Sequence, residues 1–145
     1  MAVAGPAVNL TDVGYGISQA LPIIVQSVLK GAGPALLMQQ PEVHLHPRAQ
    51  AALGTFFAKL VAGERNRMVV IETHSDCLVD RIRQEVAADT IDPSRVLVLF
   101  FHKPSLETRI WPITLDKFGN VENAPRQYRE FFLKEELNLF NRTTQ

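Results

Sequence analysis

The sequence predicts an α/β fold, a mostly parallel sheet flanked by helices with an edge hairpin near the C-terminus. Three observations carry that reading. Short apolar runs recur at 35–38 (ALLM), 68–72 (MVVIE) and 96–101 (VLVLFF). The segments between them place apolar residues at the three- and four-residue spacing of amphipathic helices. Strands alternating with helices of that length favour parallel pairing, with the helices packed over the faces of the sheet.

The elements follow in order. Residues 16–30 carry Ile17, Leu21, Ile24 and Val28 as the apolar stripe of a first helix. Pro22 has no backbone N–H and belongs in the first turns, with Ser18 as the expected cap. GAGP at 31–34 breaks the pattern, and ALLM reads as a fully buried strand. Pro47 opens a second helix to about residue 62, with Leu53, Phe56, Phe57 and Leu60 on its apolar side. MVVIE is a second buried strand, and THSD (73–76) leads into a helix carrying Leu78, Ile82 and Val86. A third strand covers 96–101, and 107–115 reads as a fourth that Pro112 confines to an edge. DKFGN (116–120) is a turn, and 125–140 a last helix.

Composition bounds the class of function. The 145 residues, 46% hydrophobic and 21% charged, suit one globular domain spanning 1–145. Fifteen basic and fifteen acidic residues leave a formal net charge of zero, so composition carries no nucleic-acid footprint. The pairs Arg65/Arg67, Arg81/Arg83 and Arg126/Arg129 read as solvated helix faces. One cysteine, Cys77, excludes an internal disulfide and fits a reducing compartment. No apolar stretch is long enough to span a bilayer, and residues 1–9 lack the pattern of a signal peptide, so a cytoplasmic, non-membrane protein is expected.

Ligands of such sheets gather at the carboxyl ends of the strands. Two strands here run into polar sequence, QQPEVHLHP after the first and ETHSD after the second. Were the strands neighbours, Gln39, Gln40, Glu42, His46 and His74 would converge in one crevice. DVGYGISQ (12–19) puts two glycines and a serine at a helix start, where free N–H groups and the helix dipole suit an anion. A second chemistry is also readable. In an extended segment Glu42, His44 and His46 share a side, and with His74 such a set can bind a transition metal and activate water as a metal-dependent hydrolase would.

Order and content together are more specific. A Gly-rich helix start, an apolar strand ending in two polar residues and P-E-x-x-L-x-P, then a strand ending in E-T-H-S, resembles the C-terminal lobe of ABC-type ATPases. That group includes chromosome-maintenance, recombination and DNA-repair members, and AAA-named ATPases related to overcoming-lysogenization-defect nucleases. The turn is similar to the EQPExHLHP turn of a bacterial group of AAA-type ATPases. The resemblance covers about residues 9–80 well and implies a partial P-loop NTPase fold.

The resemblance implies roles residue by residue. DVGYGISQ corresponds to the signature that contacts the γ-phosphate of ATP held by the opposite protomer, through Gly14, Gly16, Ser18 and Gln19. ALLMQQ corresponds to the Walker B strand, PEVHLHP to the turn containing the D-loop, and ETHSD to the switch histidine. Gln39 then stands where an acid holds the Mg²⁺ shell, and Gln40 where a glutamate polarises the attacking water. A neutral amide is a poor ligand for a hard cation and cannot act as a carboxylate base, although Gln40 can orient a water. His74 would sense the γ-phosphate, His46 holds the D-loop aspartate position, and Glu42 is the nearest remaining acid. As structural groups, the two glutamines would instead satisfy backbone atoms where the strand ends.

The phosphate cradle GxxxxGK[ST] has no counterpart, since no Gly-Lys pair occurs in the chain. The resemblance therefore implies a chain without the Walker A lobe, needing that lobe or a homodimer to hold ATP and Mg²⁺. A nuclease partner or DNA in a larger assembly, and roles in DNA transactions or phage defence, are implied by resemblance alone. A non-catalytic dimerisation or regulatory module is the alternative. Neither Ser18 nor Ser75 lies in a G-x-S-x-G elbow, and no Asp-x-Asp pair follows residue 80.

Overall fold

The computed structural model describes residues 9, 14–29, 35–64, 66–130 and 134. They belong to two compact units, Met1–Ile91 and Asp92–Gln145.

The first unit contains α1 (Tyr15–Val28), β1 (Ala35–Gln39), α2 (Pro47–Gly63), β2 (Met68–Glu72) and α3 (Asp76–Ala87). β1 and β2 pair in parallel, in register from Ala35↔Met68 to Gln39↔Glu72. Leu53 and Phe57 of α2 and Leu78 of α3 form the buried centre, and Ile23, Met38, Val69, Ile71 and Ile82 pack against it. The α/β class and the flanking helices are as the sequence predicts. Gly54 lets α2 and α3 approach closely: a Cβ there would lie 3.0 Å from the Leu78 carbonyl oxygen and 3.1 Å from the Arg81 Cβ.

Three local expectations are corrected. Neither β1 nor β2 is fully buried; exposure alternates along both strands, so one face of the pair is covered and the other bears Leu37, 75% exposed, with Met68 and Val70. α1 begins at Tyr15 with Gly14 as its N-cap residue, so Pro22 lies inside the helix and Ser18 is no cap; its hydroxyl donates to the Tyr15 carbonyl at 2.8 Å. The inward seam of α1 is Gly16, Ala20, Ile23 and Ser27, while Ile17, Leu21, Ile24 and Val28 face outward. Small residues line the seam because α1 sits close to its neighbours. A Cβ on Gly16 would meet the His44 carbonyl oxygen at 2.6 Å.

Arg67 also departs from expectation. Its side chain is buried, with Nε donating to Glu64 Oε2 at 3.0 Å and an Nη to the Ser27 carbonyl at 3.2 Å. Arg83 pairs with Asp80 at 2.9 Å, one turn away on α3.

The second unit is an antiparallel sheet in the order β3 (Val98–His102), β4 (Arg109–Leu115), β5 (Val121–Glu122). Ile113 and Leu115 are its buried hydrophobic residues among those described, and the Phe100 and Tyr128 rings meet edge-on at 5.5 Å. The hairpin expected near the C-terminus is present, and its DKFGN turn is held by Asp116, whose Oδ1 accepts the N–H groups of Phe118 and Asn120, both at 2.8 Å. β4 is central in this sheet, not an edge. Its pairing with β5 reaches only Thr114 and Leu115, so that side of the strand is unpaired at Pro112 among the described residues. Most of the helix expected over 125–140 lies outside the described residues; 126–129 form a turn, and Lys134 pairs with Glu130 at 2.7 Å.

Candidate functional site

The site is built where β1 stops. Gln40 has φ 46° and His44 φ 65°, a left-handed backbone that non-glycine residues adopt at a cost of order 1 kcal/mol each. The strained segment is held from several sides. The Gln40 N–H donates to the Glu72 carbonyl at 2.7 Å, prolonging the ladder by one bond. Val43 N–H reaches the Gln40 carbonyl at 3.2 Å, and Leu45 N–H the Glu42 carbonyl at 3.0 Å. His46 then caps α2, its Nδ1 accepting the Arg48 N–H at 3.3 Å, and Pro47 follows in the first turn, where its lack of an N–H is harmless.

Turn 41–44 meets the loop after β2 through one side chain. Glu42 is buried, 5% exposed, and its Oε1 accepts the His74 backbone N–H at 3.0 Å. Its other oxygen, Oε2, is buried without a hydrogen-bond partner among the described residues. Below this contact, the Ser75 hydroxyl donates to Gln50 Oε1 at 2.6 Å and accepts the Leu78 N–H at 3.0 Å, capping α3. Gln50 in turn donates from Nε2 to the Leu45 carbonyl at 2.9 Å. The turn, the start of α2 and the start of α3 are thus one hydrogen-bonded body.

The start of α1 joins the same turn. Gly16 abuts the His44 carbonyl, and the Tyr15 and His44 rings meet edge-on at 4.7 Å. Of the residues singled out in the sequence, Gly16 therefore reaches the turn that holds Glu42, and Glu42 reaches His74. Gln39 ends β1 directly opposite Glu72. Ser18 bonds back to its own helix, and Gly14 has open space around its Cα. Residues 12 and 13 of the signature-like segment lie outside the described residues. Among the described residues neither the Gln39 nor the Gln40 side-chain amide bonds a backbone group.

The HLH metal centre is not formed. It required an extended segment, whereas 41–44 is a turn; the His44 ring meets Tyr15 edge-on and His46 is committed to the helix cap. Among the described residues no group of three His, Cys, Asp or Glu side chains could hold a metal. The donor chemistry that does occur is of another kind: a Glu72 carboxylate and a Gln39 amide at the ends of adjacent strands. Mg²⁺ characteristically needs only one or two carboxylates and keeps most of its waters. This pair fits that cation, with Glu72 as its anionic oxygen source.

Glu72, Gln50 and Tyr15 were not picked out from sequence as site residues. Glu72 had a readable signal, since it is the last residue of MVVIE and stands opposite Gln39 once the two strands are aligned by their polar ends. Gln50 had none, because its role depends on the crossing of α2 and α3.

Residues 4–80 match the family model described as "AAA domain, putative AbiEii toxin, Type IV TA system". The chain belongs to this AAA domain family. The match takes in α1, β1, the strained turn, α2, β2 and the start of α3, which are the parts that assemble the site. Membership brings the P-loop NTPase type of fold and a nucleotide-binding, ATPase-type function, in which Mg²⁺ typically accompanies the nucleotide. No curated protein and no solved structure matches the chain. Among the described residues, no helix is long and apolar enough to cross a membrane.

Proposed function

We propose that this AAA-family chain contributes one half of a composite ATP site. On this reading β1 is the Walker B strand, turn 40–46 the D-loop region, His74 the residue that senses the γ-phosphate, and the start of α1 the signature that faces a nucleotide held elsewhere. The observation that carries the reading is the convergence of β1, β2 and α1 on one strained turn, with Glu42 joining it to His74 at 3.0 Å. Strain of this kind clusters at functional sites, and the carboxyl ends of adjacent parallel strands are where ligands of such sheets bind.

The phosphate loop would come from a complementary lobe, in the same assembly or in a second copy of the chain. Support comes from the uncovered face of the β1–β2 pair, with Leu37, Met68 and Val70 exposed, since parallel sheets are ordinarily covered on both sides. Mg²⁺, when bound with nucleotide, would neutralise and orient the phosphate oxygens. Gln40 would orient water by hydrogen bonding, and His74 would present its imidazole from the exposed loop. Any nuclease or DNA-directed step, and any part in phage defence, belongs to other segments or partners, in a cytoplasmic assembly.

A second reading is a regulatory or dimerisation module that has lost turnover. It is favoured by the amides at 39 and 40 and by the outward apolar stripe of α1. Mixing the chain with a lobe carrying GxxxxGK[ST] and measuring ATP turnover separates the two. Turnover above that of either piece, raised further by Gln40→Glu, supports the composite enzyme. No turnover with either form supports the regulatory module.

A further inference from the structure

Register partners in a parallel pair lie side by side with their side chains on the same face, separated by the strand spacing of about 4.8 Å. Gln39 and Glu72 are such partners, the last residue of each strand, and both are exposed. Burial alternates in phase along β1 and β2, so Leu36, Met38, Val69 and Ile71 turn to the helices while Gln39 and Glu72 turn away together. The bond from Gln40 N–H to the Glu72 carbonyl fixes this end of the pair. No hydrogen bond or ion pair occupies the Glu72 carboxylate among the described residues.

We propose that Glu72 supplies the divalent-cation carboxylate that position 39 lacks, from the end of the adjacent strand, with the Gln39 side-chain oxygen as a neutral neighbour. The proposal rests on the composite nucleotide site argued above, in which position 39 would hold the Mg²⁺ shell. A cation that keeps several of its waters tolerates a shift of one strand better than a fully dehydrated ion, because the carboxylate can act through the water shell. Glu42 is the competing acid, and its geometry disfavours it. One of its oxygens is taken by the His74 N–H and the other is sealed from solvent, so neither is open to a hydrated ion. An exposed Glu with no role beyond solubility is the plain alternative, and the test distinguishes the two.

The test uses Mn²⁺ alone, added to the full 145-residue chain, with paramagnetic broadening of backbone amides as the readout. Selective broadening at residues 39–41 and 72–74 is expected in the wild type. Glu72→Gln should abolish it while leaving other amide shifts in place, and the exchanged pair Gln39→Glu with Glu72→Gln should restore it. Broadening that is absent in the wild type, or that persists unchanged in Glu72→Gln, overturns the assignment. Glu42→Gln is expected to leave the broadening intact, and its loss there would assign the ion to Glu42 instead. Because the readout contains no nucleotide, a failed Mn²⁺ result beside intact ATP turnover in the reconstituted mixture sinks Glu72 alone. Mn²⁺ bound at Glu72 without any nucleotide activity sinks the composite-site reading.

Discussion

Glu42 and His74 are joined by a carboxylate-to-backbone hydrogen bond of 3.0 Å that spans 32 positions of sequence. It links the strained turn after β1 to the loop after β2 through a buried side chain. Removing it should be felt in stability and in the position of His74 together. Glu42→Ala leaves the His74 N–H without its acceptor and opens a cavity, a loss of about 2–3 kcal/mol in urea unfolding. Glu42→Gln keeps an acceptor oxygen and should cost about 1 kcal/mol. Faster hydrogen exchange at the His74 amide in Glu42→Ala, but not in Glu42→Gln, would tie the loss to this bond.

Gly16 and Gly14 should respond oppositely in mechanism to the same change. A Cβ at Gly16 would lie 2.6 Å from the His44 carbonyl oxygen, a backbone atom that cannot move without disturbing the turn. Gly16→Ala should therefore destabilise by about 1–3 kcal/mol despite the better helix propensity of alanine, and should weaken the Tyr15–His44 ring contact seen in ring proton shifts. At Gly14 nothing crowds the added carbon, but φ is 94°. Gly14→Ala should cost about 1–3 kcal/mol, from backbone strain alone, and leave that ring contact unchanged.

The Thr55 hydroxyl donates to Glu85 Oε1 at 2.6 Å, linking α2 to α3. That bond, chief among several causes, holds the Glu85 carboxyl below its ordinary value of 4.5, with Thr90, Lys59 and Arg81 acting in the same direction. A depressed carboxyl stabilises the fold above its unfolded pKa, and the contribution disappears as pH falls through the lower, folded value. Thr55→Val should thus be less stable near neutral pH by about 1 kcal/mol, a figure reduced for solvent screening. The difference from wild type should begin to shrink below pH 4.5 and vanish in stronger acid. A gap that stays constant across unfolding curves at each pH would mean that Thr55 acts by packing alone.

Arg67 fastens the last turn of α1 to the approach to β2 through the Ser27 carbonyl and Glu64. Arg67→Ala should lose about 2–3 kcal/mol, since it strips a buried carbonyl of its donor and empties packed volume. Arg67→Lys keeps the charge but not the planar fork, and an intermediate loss by thermal unfolding is expected. Equal stability of the lysine variant and the wild type would show that geometry at this site is immaterial.

The fold was legible in the sequence where periodicity and burial agree. The α2 stripe and the residues Leu78, Ile82 and Val86 behave as the pattern requires, whereas MVVIE forms its strand but leaves Met68 and Val70 exposed on one face. α1 shows why the rule can fail: reading the bulkiest residues as the inward set chose Ile17, Leu21, Ile24 and Val28, whereas a closely packed helix turns Gly16, Ala20, Ile23 and Ser27 inward. Close approach rewards small residues, and a hydropathy stripe cannot register that. For the site, the condition that the strands ending in QQPE and ETHS be neighbours is met by the parallel pairing of β1 with β2. The HLH reading failed because a side-by-side count assumes extended backbone, and the positive φ of His44 belongs to a turn. Arg67 was misjudged for a related reason, as burial of a charge depends on a partner carbonyl forty positions away.

The alternation along β1 and β2 carries a practical consequence for handling the protein. A two-stranded sheet with Leu37, Met68 and Val70 open to water, and with unpaired strand edges among the described residues, is a template for self-association in concentrated solution. Prepared by itself, the chain should become turbid as concentration rises, and a charged residue at Leu37, the most exposed of the three, should delay that onset without touching the folded core.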